Sequence, residues 1–467
     1  MQPKNFQFGG GAEGTILHPL VAAGMLLAIV AILFLPRRRA ITPFLLAFFT
    51  IPLGQVLVLA GIHLQMQQIL IVTVLFRMAA FPGVASQKRF AGGFNALDVF
   101  VVLWAISAFI IFSLQWMAMQ AVIKSLGDLL QTLGGYLAVR FLIPDRAVFR
   151  RMLKTFALVC AIQGVLMIIE QFTHQNVLSF LGAPTPEFRD GHVRSQGAIG
   201  NLYAGMFAGV SIPLFLWLWT EKKSRIAACT GLIGSTAMVV ASFASTSWTT
   251  YGASLVGLCF WPFRRQMRLI RCGVVAVLVG LHVVMHGPVW SLIEKIDLTG
   301  GSSSYHRYML VDNCIRHFGD WWFLGARNYG DWGFVMFDVC NQFILVALRG
   351  GLLTLILYIW IYKQSFSIIG KTRKRIAGDR AQEWTLWCLG SALFATVVSS
   401  FGIYYIVYLI VFFYCLLVSI STWALDSGGV RIEAQPKVQF EWSTSTEATC
   451  VPLAEVKGEA WPDLFKA

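Results

Sequence analysis

Apolar runs long enough to cross roughly 30 Å of hydrocarbon recur along most of this chain, and short clusters of lysine and arginine separate them. No other property narrows the possible folds as much. The runs read as membrane-spanning helices at 16–35, 41–61, 69–84, 99–117, 155–172, 200–219, 226–243, 272–289, 339–362, 384–400 and 404–423, with a weaker one at 129–143 and a short one at 251–263. The expected architecture is all-α, a polytopic transmembrane helical bundle of about 12–13 spans. Composition agrees: 57% of the 467 residues are hydrophobic and 13% are charged, about half the charged share of an ordinary soluble domain.

The basic clusters orient the bundle. Arg37-Arg38-Arg39, Lys88-Arg89, Arg146 with Arg150, Arg151 and Lys154, Lys222-Lys223-Arg225, Arg264 to Arg271, and Lys371 to Arg380 fall in alternate loops. Counting them with Lys363 gives roughly 22 Lys and Arg on one side against roughly 8 on the other, and the positive-inside rule places the rich side in the cytoplasm. Two long loops then lie outside, at 174–200 and, late in the chain, at 291–338. A polar, glycine-rich segment at 1–15 precedes the first span. Because Arg37 to Arg39 follow that span, it reads as a retained helix and not as a cleaved signal. The polar tail at 424–467 is expected to be cytoplasmic and poorly ordered.

The net charge of +14 does not point to nucleic acid, because the positive residues sit in short loop clusters and not in one stripe. Nine cysteines, mostly within apolar runs, show neither metal-ligand spacing nor a secreted-domain framework. Cys314 and Cys340 share one expected compartment, which admits a disulfide between them but fits two unrelated free thiols better. Four charges fall inside expected spans. Arg140 and Glu170 lie near span ends, where snorkelling or water contact is expected. Arg77 and Arg349 lie deeper, where a charge needs a partner or a hydrated cavity, so function and structural pairing are both open.

The chemistry-bearing residues concentrate in the two external loops. Arginine suits a diphosphate, since its guanidinium offers a planar fork of donors and keeps its charge. Arg194 and Arg307, one in each loop, can together neutralise a leaving diphosphate. Arg316 and Arg327 are further candidates, although singly Arg316, Arg327 and Arg189 fit solvated or headgroup-contacting residues. Transfer to an acceptor hydroxyl also needs a base, and His306, His317, His192, Asp312 and Asp338 are available. The aromatics Trp321, Trp322, Tyr329, Trp332 and Phe334 fit an interfacial belt better than a sugar platform. Neither a Walker-type phosphate loop nor a zinc-protease helix motif is present.

Four stretches resemble a known family. RSQGAIGNLYAGM from Arg194 looks like an R-x-x-G segment leading into a span, and ASFASTSWTTYGA from Ala241 looks like a serine-rich helix end. SSSYHRYMLVDN places Arg307 in the late loop. NQFILVALRGGLLTLILYIW from Asn341 is similar to an H-N-x-x-L pattern followed by G-L-L-G. Their order and spacing resemble the O-antigen ligase and polymerase family, multi-span bacterial inner-membrane enzymes that act on polyprenyl-diphosphate-linked glycans. The resemblance implies that Arg194 and Arg307 bind the donor's diphosphate, with Asn341 and Arg327 among the substrate-binding candidates. It also implies a histidine before Asn341, where this chain has Cys340, and a Ser-Arg pair where it has Ser247-Trp248. A neutral thiol is a poor base, so Asp338 and His306 become the catalytic candidates.

The implied activity is polymerisation or ligation of surface polysaccharide, needing no metal, nucleotide or other cofactor because the donor is already activated. The partners implied are the polyprenyl-diphosphate-linked oligosaccharide, membrane lipids and other polysaccharide export proteins. A transporter or flippase of polysaccharide or lipid-linked intermediates is the competing reading. The polytopic build, Arg77 and Arg349 are compatible with it, and the absence of an internal repeat counts against it.

Overall fold

The computed structural model describes residues 14–426, apart from 53, 60–61, 81–89, 91, 190, 286, 296–302 and 334–335. Most of the N-terminal segment, the Lys88-Arg89 cluster and nearly all of the polar tail lie outside the described residues.

Over the described residues the chain is mostly helical, with two small hairpins among them. Its helices are α1 (Pro19–Phe34), α2 (Arg37–Thr50), α3 (Met66–Ala80), α4 (Ala96–Trp116), α5 (Met119–Leu129), α6 (Gly135–Leu142), α7 (Arg146–Thr173), α8 (Asn201–Thr220), α9 (Arg225–Ser242), α10 (Ser245–Cys259), α11 (Met267–Val284), α12 (Leu292–Lys295), α13 (Ser303–Arg316), α14 (Phe318–Trp321), α15 (Gln342–Arg375), α16 (Arg380–Ser400) and α17 (Val407–Asp426). The hairpins pair β1 (Val56–Leu59) with β2 (Ile62–Gln65) and β3 (Glu187–Arg189) with β4 (His192–Arg194), both antiparallel.

Seven helices among the described residues, α4, α7, α8, α9, α11, α15 and α17, are long and apolar enough to cross a membrane, which makes this a multi-pass membrane protein. The remaining expected spans are shorter, interrupted or less apolar. Residues 41–61 do not form one span. Helix α2 stops at Thr50, before Pro52, whose ring disfavours helix at the preceding residue, and the chain then turns through Gly54 (φ 97°) into the first hairpin. The weak span expected at 129–143 is the second half of a helix that begins at Met119. It runs from α5 to α6 through a π-helical turn, Leu130–Gly134, with right-handed backbone angles at both junctions.

The core lies around α17, whose apolar window is 89% buried. Phe44, Phe48 and Phe49 of α2 meet Phe156 of α7, Phe207 of α8 and Tyr408 of α17 in a cluster of edge-on and stacked rings. Helices α7 and α9 cross at Gly164 and Gly234. A Cβ on Gly234 would stand 2.5 Å from the Cys160 carbonyl, so the two backbones touch, as small residues permit in membrane bundles.

Two intramembrane charges are structural, and one of them, Arg140, differs from expectation. Arg140 does not snorkel: it is 1% exposed and pairs at 3.2 Å with Asp98, equally buried, which also accepts from Tyr136 Oη. Asp98 belongs to the N-terminal capping box of α4 with Asn95, so one carboxylate caps a helix and neutralises a buried cation. Arg77 is likewise structural, donating to the Ile32 and Leu35 carbonyls at the C-terminus of α1, where a cation suits the helix dipole.

The basic loops gather at one end of the bundle. Arg38 pairs with Asp145 at 2.9 Å, Arg151 donates to the Arg38 carbonyl, and Arg150 meets Glu221 at 3.0 Å. Arg264 pairs with Glu383 at 3.1 Å and its carbonyl accepts from Arg373. The C-termini of α7, α9 and α16 and the N-termini of α8, α10, α15 and α17 lie at the opposite end.

Candidate functional site

The stretch from Arg194 to Gly200 is pinned to the ends of α7 and α9. Glu170 is fully buried and its carboxylate accepts from Gln196 N at 2.8 Å and Gly197 N at 3.0 Å. It is therefore a brace for the R-x-x-G segment, not a residue reaching for water. Gln171 donates to the carbonyls of Val193 and Ala241, both at 2.7 Å, and Ser195 N donates to Ala241 O at 3.1 Å. Two stretches that are remote in sequence, 194–197 and 241–248, thus share one frame.

The late segment joins this frame through Arg307. On α13, Arg307 donates from Nη2 to Thr246 Oγ1 at 3.0 Å, and Thr246 Oγ1 donates to Gly402 O at 3.3 Å. Asn341 completes the convergence. It caps α15, its Oδ1 accepting from Phe343 N and Ile344 N at 3.0 and 3.2 Å, while Nδ2 reaches Phe401 O at 3.5 Å. Both ends of its amide are engaged with backbone and the residue is 3% exposed, so capping accounts for an asparagine here.

His306, Asp338 and Cys340 form the chemical centre, with their Nδ1 or Nε2, carboxylate and Sγ atoms within 4.8 Å of one another. Cys340 N donates to Asp338 O at 3.1 Å, and the thiol lies 3.3 Å from Asp338 Oδ2. Burial, with a contribution from the neighbouring Asp338 carboxylate, pushes the Cys340 thiol up to about 12, and the Arg307 and Arg189 guanidiniums partly offset this. At neutral pH Cys340 is a thiol and not a base, which leaves Asp338, exposed, and His306, half-buried, as the proton acceptors. Tyr203 of α8 and Tyr404, rings 6.1 Å apart and edge-on, stand beside Cys340 and Asp338.

The remaining sequence candidates divide clearly. Arg194 faces Glu187 Oε2 at 4.0 Å across the β3–β4 register, and Asn201 Nδ2 approaches the same oxygen at 3.4 Å. Arg189, on the other arm of that hairpin, is the residue within electrostatic reach of Cys340. Arg327 is exposed and lies over the Trp116 ring at 5.5 Å, at the end of α4. His317 stacks on Trp332 at 4.6 Å and meets Asp320, while Asp312 pairs with Arg316 at 2.6 Å. His192 stacks on Phe243. Trp321 is buried and donates to the Cys314 carbonyl, a packing role; Phe334 lies outside the described residues. Cys314 and Cys340 are both free thiols.

Sequence reasoning passed over Arg189, Thr246, Tyr203 and Tyr404. Thr246 sits inside the serine-rich stretch, where the hydroxyl content was visible. Nothing in the spacing separates Arg189 from Arg194.

Arg349 is exposed and lines a cavity of about 430 Å³ between α4, α5, the π-helical turn and the start of α15, with Lys124, Asp128, Gln342 and Tyr404 also on its wall. The polar side chains of Lys124, Asp128 and Gln342 on that wall give the charge polar neighbours at that depth. The arrangement puts the positive charges of Arg307 and Arg189 within electrostatic reach of Cys340 and offers Asp338 and His306 as proton acceptors beside it. Compared with protein-family models and with curated proteins, the chain gives no match.

Proposed function

We propose that this chain is a membrane glycosyltransferase that polymerises or ligates surface polysaccharide from a polyprenyl-diphosphate-linked donor at the external face of a bacterial inner membrane. The observation that supports it best is the gathering of Arg307 and Arg189, from two different loops, around Asp338 and Cys340 at the end of the bundle remote from the basic loops. Under the positive-inside rule that end is external, and 174–200 and 291–338 are its external loops. About 12–13 crossings fit this topology when the shorter or interrupted helices α1, α2, α3, α5–α6, α10 and α16 are counted with the seven long ones.

In this reading the acceptor hydroxyl attacks the anomeric carbon of the donor. A glycosidic bond forms there, the bond to the diphosphate oxygen breaks, and the diphosphate leaves on its polyprenyl carrier. Asp338 or His306 takes the hydroxyl proton. Arg307 and Arg189 stabilise the charge developing on the leaving group, and Arg194, facing Glu187 on the same hairpin as Arg189, adds a further positive charge. The Thr246 contact fixes the Arg307 guanidinium in advance, which is the preorganisation such stabilisation needs.

A strain lacking this protein should accumulate lipid-linked repeat units on the outer leaflet. Arg307→Ala and Arg194→Ala should each fail to restore surface polysaccharide while inserting normally. Normal polysaccharide in both variants sinks the proposal, and accumulation on the inner leaflet favours a flippase.

A further inference from the structure

We propose that His306, Asp338 and Cys340 form a three-ligand binding site for a zinc-like divalent cation, with a fourth position open toward Arg307 and Arg189. The donor set is one imidazole nitrogen, one carboxylate oxygen and one sulfur. Such a mixed, borderline-soft set suits Zn²⁺, whereas Mg²⁺ and Ca²⁺ select oxygen alone.

The distances fit. Zinc bonds of about 2.3 Å to sulfur and 2.0 Å to oxygen place tetrahedral neighbours about 3.5 Å apart, and Cys340 Sγ lies 3.3 Å from Asp338 Oδ2. All three donor groups fall within 4.8 Å, so side-chain adjustment suffices to close on an ion.

The frame is held independently of any ion. The Asp338–Cys340 turn is closed by its own backbone hydrogen bond. Val339 inside it is buried with Leu310 and Cys314 of α13, the helix that carries His306, in one apolar cluster. Asn341 then caps α15 immediately after Cys340. Ligands fixed on such a frame lose little freedom on binding. The sequence shows no ligand spacing because His306 comes from a different element.

Charge also balances. Binding releases the Cys340 proton to water and forms a metal–sulfur bond. The dication is then offset by one thiolate and one carboxylate, so the two guanidiniums face a neutral centre and not a third cation. Three protein ligands with an open fourth position are the pattern of reactive and not of structural zinc. The identity of the fourth ligand, a diphosphate oxygen of the donor, rests on the function proposed above; the three-ligand site does not. With the ion bound, His306 serves as a ligand and the uncoordinated oxygen of Asp338 remains to take the acceptor's proton.

The test uses the full chain, purified in detergent, stripped with chelator and dialysed against Zn²⁺ or Mg²⁺, with bound metal measured by elemental mass spectrometry. The expected result is one retained Zn²⁺ per chain and no retained Mg²⁺. Cys340→Ser, Asp338→Asn and His306→Ala should each lower retention at least tenfold, and Cys272→Ser should leave it unchanged. In the unsubstituted protein, Zn²⁺ should slow alkylation of Cys340 at least tenfold while Cys272 reacts as before, which tests the site even where a variant misfolds. No retained Zn²⁺, undiminished retention by the three ligand variants, or unprotected Cys340 each overturns the site. An inactive Arg307→Ala protein combined with absent zinc overturns the metal site and leaves the donor reading standing.

Discussion

Arg307 Nη2 donates to Thr246 Oγ1 over 3.0 Å, so a guanidinium from the late polar segment is locked to the start of a helix more than fifty residues earlier. Through Thr246 the tie continues to Gly402 at the α16–α17 turn. A lone surface arginine would not be held this way. The bond aims a charge toward Asp338 and Cys340, and it makes the arginines the first residues to vary.

Arg307→Ala and Arg189→Ala should each reduce polysaccharide formation by about 10²–10³, the usual loss when one donor to developing charge is removed. Arg327→Ala, over Trp116 and away from the cluster, should stay within about twofold of the parent, since exposed arginines of this kind carry little. Quantitative immunoblots of surface polysaccharide, normalised to membrane-inserted protein, distinguish the three.

Asp98→Ala should destabilise the bundle by about 3–5 kcal/mol, because it leaves the Arg140 charge buried without its carboxylate. Replacing both residues, as Asp98→Leu with Arg140→Met, should recover much of the loss, since an apolar pair avoids the desolvation cost. Thermal unfolding in detergent reads both variants, and a double variant weaker than Asp98→Ala alone contradicts the account.

Cys314 supplies a pH dependence. Burial among Leu310, Trp321 and Met336 pushes its thiol up to about 12, whereas an unfolded thiol titrates near 8.5. The folded state therefore favours the neutral form. The stability from this group is complete below about pH 8.5 and is lost as pH rises toward 12. Alkylation of Cys314 should be slow at pH 8, when Cys259 and Cys272 are open to reagent, and should keep accelerating above pH 9. A rate for Cys314 that levels off near pH 9 rules this out.

Gly351 breaks α15 with φ 64°, and Leu352 N beyond the break donates to Trp322 O at 2.8 Å. Leu348 O, before it, accepts from Ala326 N at 2.9 Å and Gln115 Nε2 at 3.2 Å. A Cβ on Gly351 would stand 2.4 Å from the Phe323 carbonyl. Gly351→Ala should cost about 1–3 kcal/mol from overpacking, with further strain at a left-handed angle. Gln115→Leu should cost less, because Ala326 still satisfies the carbonyl. Melting temperatures of the two variants give the order.

The bundle was legible because apolar runs of span length leave few alternatives in lipid. The end of α2 was legible too, in Pro52 and Gly54, but total hydropathy carried the reading through them. The Asp98–Arg140 pair was hidden because Asp98 looks like an ordinary capping residue and its partner lies on another helix. At the site, motif order brought 194–197, 241–248, 303–307 and 338–341 together on paper, and hydrogen bonds through Gln171, Thr246 and Asn341 do so in the fold. Arg189 and Arg194 lie on the same face of the two-strand hairpin, Arg189 paired with His192 and Arg194 with Glu187, so side-chain alternation could not separate them.

The crossing of α7 and α9 at Gly164 and Gly234 bears on how such a molecule turns over its substrate. Carriers expose a site alternately to each side by rocking one group of helices against another. Here two backbones interlock without side chains between them, so neither helix can slide along the other without driving a Cβ into a carbonyl. Glu170 and Gln171 at the end of one helix and Ala241 at the end of the other consequently travel as a single body. The rim they build is held as one piece.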